Sequence, residues 1–418
     1  MQKTTDPTGT PKAKTGPLSG VRVLDLTSVL MGPYCTQILG DLGADIIKVE
    51  NPEGDTTRYV GGSKRPGRSG MFSNLNRGKR CITLDLRNKA GRALCLRLAQ
   101  QADVMIHSIR LGALERLGLG YAQVQAVNPD IIYCNLLGYG RSGRYSGKPV
   151  YDDTIQAISG MAMLQAEMNG EPQYVTTVLC DKVAALSAAY AINAALFNRQ
   201  RGGGGQEIDV PMFESMASFL LAEHISGALY DPPLGRPVYE RPVTPYRRPY
   251  KTRNGYLSVL VYNDKQWRRF AELTGHPELI SDPRFASQAD RSRNIGDFCR
   301  MVADILVQRD SEEWLQLLEQ AEIPVAKLNR MDDLFTDPHL QDVGFFKAID
   351  DPLDGRLRMP SQPVLFSKTP AGFDAAGPLQ GQHGTEILQE FGLGADEIST
   401  LDEQGAFGTA RKTSDKKN

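Results

Sequence analysis

Residues 21–50, VRVLDLTSVLMGPYCTQILGDLGADIIKVE, contain two apolar runs separated by a helical pattern. The stretch begins with a short apolar run at Val21–Thr27 and continues with apolar residues at helical spacing in Gly32–Leu42. A second apolar run, Ala44–Glu50, closes it. Two strands joined by one helix form a βαβ unit, in which the strands are parallel and the crossover is right-handed. The stretch therefore predicts the start of a parallel α/β sheet.

The same alternation continues downstream. Further strands are predicted at Cys81–Leu86, Asp103–His107 and Asp130–Leu136, with helical patterns between them. This order predicts an α/β fold with a large, open, mostly parallel sheet. The chain is divided as follows: a disordered tail at 1–17, the first part of a large α/β domain at 18–229, a proline-rich linker at 230–249, a smaller α+β domain at 250–328, a return to the large domain at 329–403, and a disordered tail at 404–418.

Composition limits the partners and the compartment. The 48 basic and 49 acidic residues give a net charge of −1, so neither nucleic acid nor an anionic membrane is expected as a partner. No apolar run approaches the roughly 18 residues of a membrane span. Six cysteines without a CxxC pair predict reduced thiols and a cytoplasmic protein. Five histidines without HxxxH or HExxH spacing make a metal site unexpected.

Asp181 is the candidate for chemistry. The alternation in Tyr174–Leu179 predicts a strand, and the apolar residues that follow Asp181 recur at helical spacing. Asp181 is therefore predicted at a strand-to-helix turn, where free N–H groups and the helix dipole favour its ionised form. An N-cap is the ordinary role of an aspartate at such a position. The surrounding motifs favour a different role.

Motifs along nearly the whole chain resemble one enzyme family. The order and spacing of these segments carry the resemblance: PLSGVRVLDLTSVLMGPYCTQILGDLGADIIKVENPEGDTTR at 17–58, NRGKRCITLDL at 76–86, YDDTIQAISG at 151–160, GQEIDVPMFE at 205–214 and TDPHLQDVGFF at 336–346. They resemble the family III acyl-CoA transferases, the CaiB/BaiF family, which includes formyl-CoA transferase and carnitine CoA-transferase. The resemblance implies a large Rossmann-like domain built from both ends of the chain, a small middle domain, and an interlocked homodimer.

The resemblance also implies a reaction. Asp181 would attack the thioester carbonyl of an acyl-CoA and give a mixed aspartyl anhydride and CoA thiolate. The thiolate would then attack the aspartyl carbonyl, and an acceptor carboxylate would reverse the sequence. CoA is thus a substrate, no permanently bound cofactor is expected, and no general base is required. Family habit suggests succinyl-CoA as the donor and a small or medium organic acid as the acceptor.

Site residues follow from the positions of the family's motifs. The CoA contacts implied by the resemblance are Val29, Leu30, Lys48, Lys79, Arg80, Ser108, Ile109, Ala113, Arg116 and Leu117. Tyr151 and Asp152 are implied at the mouth of the site. Leu30 stands where formyl-CoA transferase has a polar glutamine, which argues against oxalate as the acceptor.

Three other functions compete with the transferase. An α-methylacyl-CoA racemase shares the fold and uses a histidine at the position of Tyr151, and a tyrosine, with an ordinary pKa of about 10, replaces it poorly. A dinucleotide-dependent oxidoreductase lacks its GxGxxG turn here. A non-catalytic CoA-binding protein is separated from the enzyme only by Asp181.

Overall fold

The βαβ unit predicted at residues 21–50 is present in the structure, a computed structural model that describes residues 15–110 and 112–408. The strands are β1 Arg22–Leu26, β2 Asp45–Glu50, β3 Arg80–Thr83, β4 Val104–His107, β5 Ile132–Leu137, β6 Gln206–Pro211, β7 Tyr250–Lys251, β8 Tyr256–Val259, β9 Val325–Lys327, β10 Phe346–Asp351 and β11 Gly355–Pro360.

The α-helices alternate with these strands. They are α1 Met31–Asp41, α2 Gly70–Leu75, α3 Lys89–Ala99, α4 Ala113–Arg116, α5 Tyr121–Val127, α6 Asp152–Ile158, α7 Met161–Asn169, α8 Leu179–Asn198, α9 Met212–His224, α10 Glu240–Val243, α11 Asp264–Leu273, α12 Gln288–Arg293, α13 Ile295–Leu306, α14 Ser311–Gln320, α15 Pro338–Asp342, α16 Gly384–Glu390 and α17 Ala395–Glu403. Short 3₁₀ turns lie at Thr56–Tyr59, Ser226–Leu229, Pro277–Ser281 and Asp333–Phe335.

Six strands form one parallel sheet in the order β3-β2-β1-β4-β5-β6. The α/β fold and the mostly parallel sheet are therefore confirmed. The strand order reverses between β1 and β4, because β2 and β3 extend the sheet on one side of β1 while β4 to β6 extend it on the other. Ligands of open α/β sheets bind beyond the carboxyl ends of the strands at this reversal. That edge is the first place to look for a site.

The chain divides into two compact units. The first comprises, within the described residues, the chain up to Ile155, then Thr177–Ala217, and the chain from Gln341 onward. The second comprises Gln156–Thr176 and Ser218–Leu340. Both ends of the chain thus contribute to the unit with the parallel sheet. The division differs from the predicted boundaries, since residues 156–176, 218–249 and 329–340 group with the second unit.

The second unit has a core of its own. A three-stranded antiparallel sheet, β7-β8-β9, packs with helices around the buried side chains of Trp267, Phe285 and Phe298. Their rings contact one another edge-on at centroid distances of 5.2–6.1 Å. The segment predicted as an extended linker contains the short helix α10 and, with residues 218–229, belongs to this unit.

Two local predictions are wrong. Residues 174–178 form no strand, and α8 begins directly at Leu179, because the exposed Tyr174 and Val178 have no neighbouring strand with which to pair. Residues 404–408 are not a disordered tail. Ala406 is buried, its carbonyl accepts the N–H of Asp85, and Phe407 bridges to Leu84. The predicted tails at 1–14 and 409–418 lie outside the described residues.

Helix α8 is more apolar than its sequence pattern suggested. With its continuation to Gly203 it is long and apolar enough to cross a membrane by length and composition alone, contrary to the prediction from apolar runs. One face, however, is buried through Ala184, Ala188 and Ile192. Asp181 and Lys182 lie in its first turn. We interpret α8 as a core helix of the first unit.

Candidate functional site

A cavity of about 270 Å³ lies at the carboxyl ends of β1, β4 and β5. Its walls are the loop after β1 (28–31), the loop after β4 (108–110), the end of β5 with its following loop (136–139), the segment 147–151, and the side chains of Asp181 and Met212. All of these residues belong to the first unit. The cavity therefore occupies the strand-order reversal, where the fold predicts a ligand.

Asp181 lines this cavity from the first turn of α8. Its backbone N–H donates to Oδ1 of Asp152 at 3.0 Å, so Asp152 acts as a cap for the start of this helix. Burial, and next the charge of Asp152, raise the pKa of Asp181 from 3.8 to about 6, against a hydrogen bond from the backbone of Met31 that lowers it. The expected stabilisation of the carboxylate by the helix terminus is therefore outweighed by burial and by the second carboxylate.

The loop that carries Val29 is held in an unusual conformation. Val29 has a φ of 70°, which is strained for a β-branched residue. Its N–H donates to Oδ1 of Asp55 at 3.3 Å. Asp55 in turn pairs with the ammonium of Lys48 at 3.1 Å, and Lys48 also donates to the carbonyl of Thr27 at 2.8 Å. Lys48 thus holds both ends of the turn that presents Val29 to the cavity.

A second buried lysine, Lys79, joins β1 to α1. The ammonium of Lys79 pairs with Oδ2 of Asp25 at 3.1 Å and donates to Thr36 at 2.7 Å and Asn76 at 2.9 Å. Burial lowers the pKa of Lys79 to about 8. Burial also opposes the ionised form of Asp25, but Lys79, Lys48 and two hydroxyl groups outweigh it and lower the pKa of Asp25 to about 2.

Glycine at position 32 lets α1 begin against β1. A Cβ atom at Gly32 would lie 2.2 Å from the Cβ of Thr27, which no real pair of atoms tolerates. The close approach brings the first turn of α1, with Leu30 and Met31, to the wall of the cavity. A side chain at position 32 would therefore displace the first turn of α1 and change the shape of the cavity.

The structure brings together about half of the residues implied by the resemblance. Five side chains share the cavity with Asp181: Val29, Leu30, Ser108, Ile109 and Tyr151. Tyr151 is 75% exposed, and Asp152 contacts Asp181 through the hydrogen bond described above. Ala113 and Arg116 on α4, and Leu117 directly after it, do not line the cavity.

Three expected CoA contacts lie elsewhere. Lys48 and Lys79 have almost no exposed surface, because the ion pairs described above enclose both ammonium groups. Arg80 opens β3 at the amino end of the sheet, where it pairs with Asp45 and Glu390 at 2.5 Å each. A phosphate at the carboxyl end would not reach it. These three residues hold the fold rather than contact the cavity.

Two exposed cations beside the cavity were not among the expected contacts. Arg110 follows the carboxyl end of β4, and Lys148 lies in the segment before α6 with its ammonium 4.5 Å from the ring centre of Tyr145. A signal for Arg110 was present, since it follows a predicted strand at the edge where ligands bind. Lys148 lies in an irregular glycine-rich loop, whose position in space no periodic pattern predicts.

Comparisons with known proteins agree with this geometry. The profile of CoA-transferase family III matches residues 18–384. An acyl-CoA transferase from Fusarium pseudograminearum is 34% identical over 404 residues, which cover 93% of this chain and 88% of that protein. A succinyl-CoA:mesaconate CoA-transferase from Haloarcula hispanica is 33% identical over 391 residues, covering 91% of this chain and 97% of that protein.

A solved structure extends the likeness to three dimensions. The crystal structure of a CaiB/BaiF family protein from Brucella suis superposes with a TM-score of 0.76 at 33% identity, covering 90% of this chain and 100% of that one. The resemblance drawn from the motifs is confirmed. The chain belongs to CoA-transferase family III, the CaiB/BaiF family, and is an enzyme that transfers CoA between acyl groups.

Proposed function

We propose that the enzyme moves CoA from an acyl-CoA donor to a carboxylic acid through covalent intermediates on Asp181. The carboxylate attacks the thioester carbonyl, the C–S bond breaks, and the electron pair leaves on the CoA thiolate. The thiolate then attacks the aspartyl carbonyl of the anhydride and expels the donor acid. The acceptor carboxylate attacks the aspartyl-CoA thioester, and the returning thiolate releases the new acyl-CoA and restores Asp181.

One observation carries this proposal: the carboxylate of Asp181 lines the cavity at the strand-order reversal. A pKa of about 6 leaves it mostly ionised at neutral pH, yet more basic than an ordinary aspartate. The charge that acts on it most strongly is that of another carboxylate, Asp152, which raises its pKa further. A partly desolvated, basic carboxylate is a suitable nucleophile.

The cavity walls support binding of the CoA chain. Val29, Leu30 and Ile109 offer apolar surface, and Ser108 offers a hydroxyl group. Arg110 and Lys148, rather than Lys48, Lys79 and Arg80, are the cations that we assign to the phosphates. We expect Arg110→Gln to raise the KM for acyl-CoA about tenfold, since one charge-assisted hydrogen bond is lost. The control is Arg87→Gln on the exposed surface, which should leave KM unchanged.

The donor proposed is succinyl-CoA, and the acceptor a small organic acid. The support is sequence similarity to a relative, because the Haloarcula enzyme is named for succinyl-CoA and mesaconate. The racemase alternative loses support, because its second acid/base group is missing: the residues that line the cavity include no histidine, and Tyr151 points to it with a largely exposed ring.

An interlocked homodimer is proposed as the working form. Helix α8 exposes three large apolar side chains at helical spacing: Leu186 at 52%, Tyr190 at 69% and Phe197 at 60%. Exposed apolar surface of this kind usually marks a protein interface. Light scattering after size exclusion should give twice the chain mass, and Tyr190→Glu should lower it.

We also place the enzyme in the reducing cytoplasm, because all six cysteines are buried free thiols.

Trapping of the intermediate tests the reaction. The enzyme is incubated with a panel of acyl-CoAs, including succinyl-CoA, and treated with hydroxylamine or borohydride before peptide mass spectrometry. We expect modification at Asp181 alone and none in an Asp181→Ala variant. Deuterium exchange at the α-carbon of a branched acyl-CoA, without labelling of Asp181, would instead establish the racemase.

A further inference from the structure

The second unit contains a separate cavity of about 350 Å³. Its lining residues come from the segment 239–250, from 258–262 and from helices α12 and α13, all of which belong to that unit. The floor is apolar and built from core side chains, among them Val259, Phe298 and Val302. A cavity of this size and floor suits a small organic molecule with an apolar body.

The wall of this cavity is cationic. Four arginines line it, and its lining residues include neither aspartate nor glutamate. Arg291 is neutralised by Asp264 at 2.6 Å. The other three, Arg241, Arg247 and Arg248, form no ion pair within residues 15–110 and 112–408. Three arginines thus line one concavity, and no ion pair neutralises them within the described residues.

An aromatic ring and backbone hydrogen bonds hold the arginines in place. The guanidinium of Arg241 stacks on the ring of Tyr262 at 4.6 Å. The backbone N–H groups of Arg247 and Arg248 donate to the carbonyls of Thr244 and Tyr246 at 3.0 and 3.1 Å. Their guanidinium groups form no ion pair among the described residues, so they can pair with the carboxylates of a ligand. Arginine presents paired donors that match both oxygens of a carboxylate.

We propose that this cavity binds an aliphatic dicarboxylate. Two carboxylates offset most of the three positive charges, and the methylene chain between them covers the apolar floor. A monocarboxylate would leave two charges unpaired, and inorganic phosphate would leave the floor in contact with water. The site goes beyond the covalent reaction proposed for Asp181, because none of its residues belongs to the cavity of Asp181 and it binds its ligand whether or not an anhydride forms.

Calorimetry with glutarate on the full chain tests the site. We expect the wild-type protein to bind glutarate, and the double variant Arg247→Gln/Arg248→Gln to bind it at least about tenfold more weakly, because charge-assisted hydrogen bonds are lost. Arg241→Gln should weaken it as well. The matched control is Arg268→Gln, an exposed arginine that does not line the cavity.

The outcomes separate this site from the active site. Hydrogen exchange should show glutarate-dependent protection in 239–262 and 295–302, and it should persist in Asp181→Ala. Absence of glutarate binding to the wild-type protein, equal binding by the double variant and the control, or equally tight binding of pentanoate or inorganic phosphate would each overturn the assignment. Covalent labelling of Asp181 is measured independently, so failure of one proposal does not hide the fate of the other.

Discussion

Asp25 and Asp181 are carboxylates of the same unit, and burial acts on both in the same direction. Asp25 is fully buried in β1 with two lysines around it, and its pKa is lowered to about 2. Asp181 lies in the cavity wall beside Asp152, and its pKa is raised to about 6. Burial alone would raise both values. At Asp25 the lysines reverse the effect of burial on the pKa, whereas at Asp181 the second carboxylate adds to it.

The difference separates structure from chemistry. An ionised carboxylate enclosed by lysines contributes stability and cannot attack a substrate. An ionised carboxylate next to another one costs stability and remains available. Linkage gives the two opposite pH dependences: Asp25 contributes stability above about pH 4 that is lost as the pH falls toward 2, whereas Asp181 costs stability that sets in as the pH rises from about 4 to 6.

Replacement of Asp181 has the largest expected effect, and it tests whether this carboxylate costs stability while it serves as the nucleophile. We expect Asp181→Asn to lower kcat by about 10⁴-fold or more, as removal of a nucleophile does in other covalent enzymes. The same substitution should raise the free energy of unfolding at pH 7, because a buried charge without a cation is removed. Urea unfolding at pH 7 and pH 4 measures this, and the gain should vanish at pH 4, where Asp181 is protonated.

A variant that loses both activity and stability would contradict the contrast. It would mean that the carboxylate of Asp181 stabilises the first turn of α8, as acidic residues near a helix N-terminus commonly do, and does not serve as a nucleophile. The neighbouring Lys182→Met serves as the matched control, since its ammonium contacts only Thr177 at 2.6 Å among the bonds observed. It should change neither kcat nor stability strongly.

Replacement of Lys79 tests whether its ion pair with Asp25 stabilises the fold. We expect Lys79→Met to lower the free energy of unfolding by about 3–5 kcal/mol at pH 7, because Asp25 then keeps a buried charge without its partner. The deficit should shrink as the pH falls toward 2, since protonation removes the stranded charge. Chemical unfolding across this pH range is the measurement.

Two further variants sharpen the result. Lys89→Met removes an exposed lysine from the first turn of α3 and should leave stability within about 0.5 kcal/mol of the wild type. Asp25→Asn combined with Lys79→Met removes both charges and should recover part of the loss. If the double variant is as unstable as the sum of the two singles, the ion pair is not the cause.

The same comparison shows which parts of the fold and site can be predicted from the sequence. The βαβ pattern predicts β1, α1 and β2 closely, since buried strands and an amphipathic helix have clear apolar periods. The residues around Asp181 predict a strand-to-helix turn. The helix is present, with Asp181 in its first turn, but no strand precedes it, because alternation in Tyr174–Leu179 carries no information about a pairing partner.

Charged residues were predicted least well. Lys48 and Lys79 are lysines in basic-looking motifs, and lysines are mostly exposed. Their burial depends on Asp25 and Asp55, whose approach in space is set by the order of strands and by the turn at Val29. The pKa of Asp181 depends in the same way on Asp152, which lies 29 residues earlier in the chain. Periodicity within a segment cannot reveal such long-range neighbours.

The smallest expected effect is that of Asp152 on the pH dependence of the reaction. Asp152→Asn keeps an oxygen that can accept the N–H of Asp181 but removes the charge that, after burial, does most to raise the pKa of Asp181. The acid limb of kcat/KM, expected near pH 6 in the wild type because the ionised form attacks, should move to lower pH by up to about 1 unit.

The exposed neighbour Asp153 supplies the comparison. Asp153→Asn changes the net charge equally but should leave the acid limb in place, because Asp153 is not among the groups that shift the pKa of Asp181. A limb that moves equally in both variants would show a general charge effect of the helix terminus. A limb that stays at pH 6 in Asp152→Asn would show that burial alone sets the basicity of Asp181, and the second carboxylate would then serve only as the cap of α8.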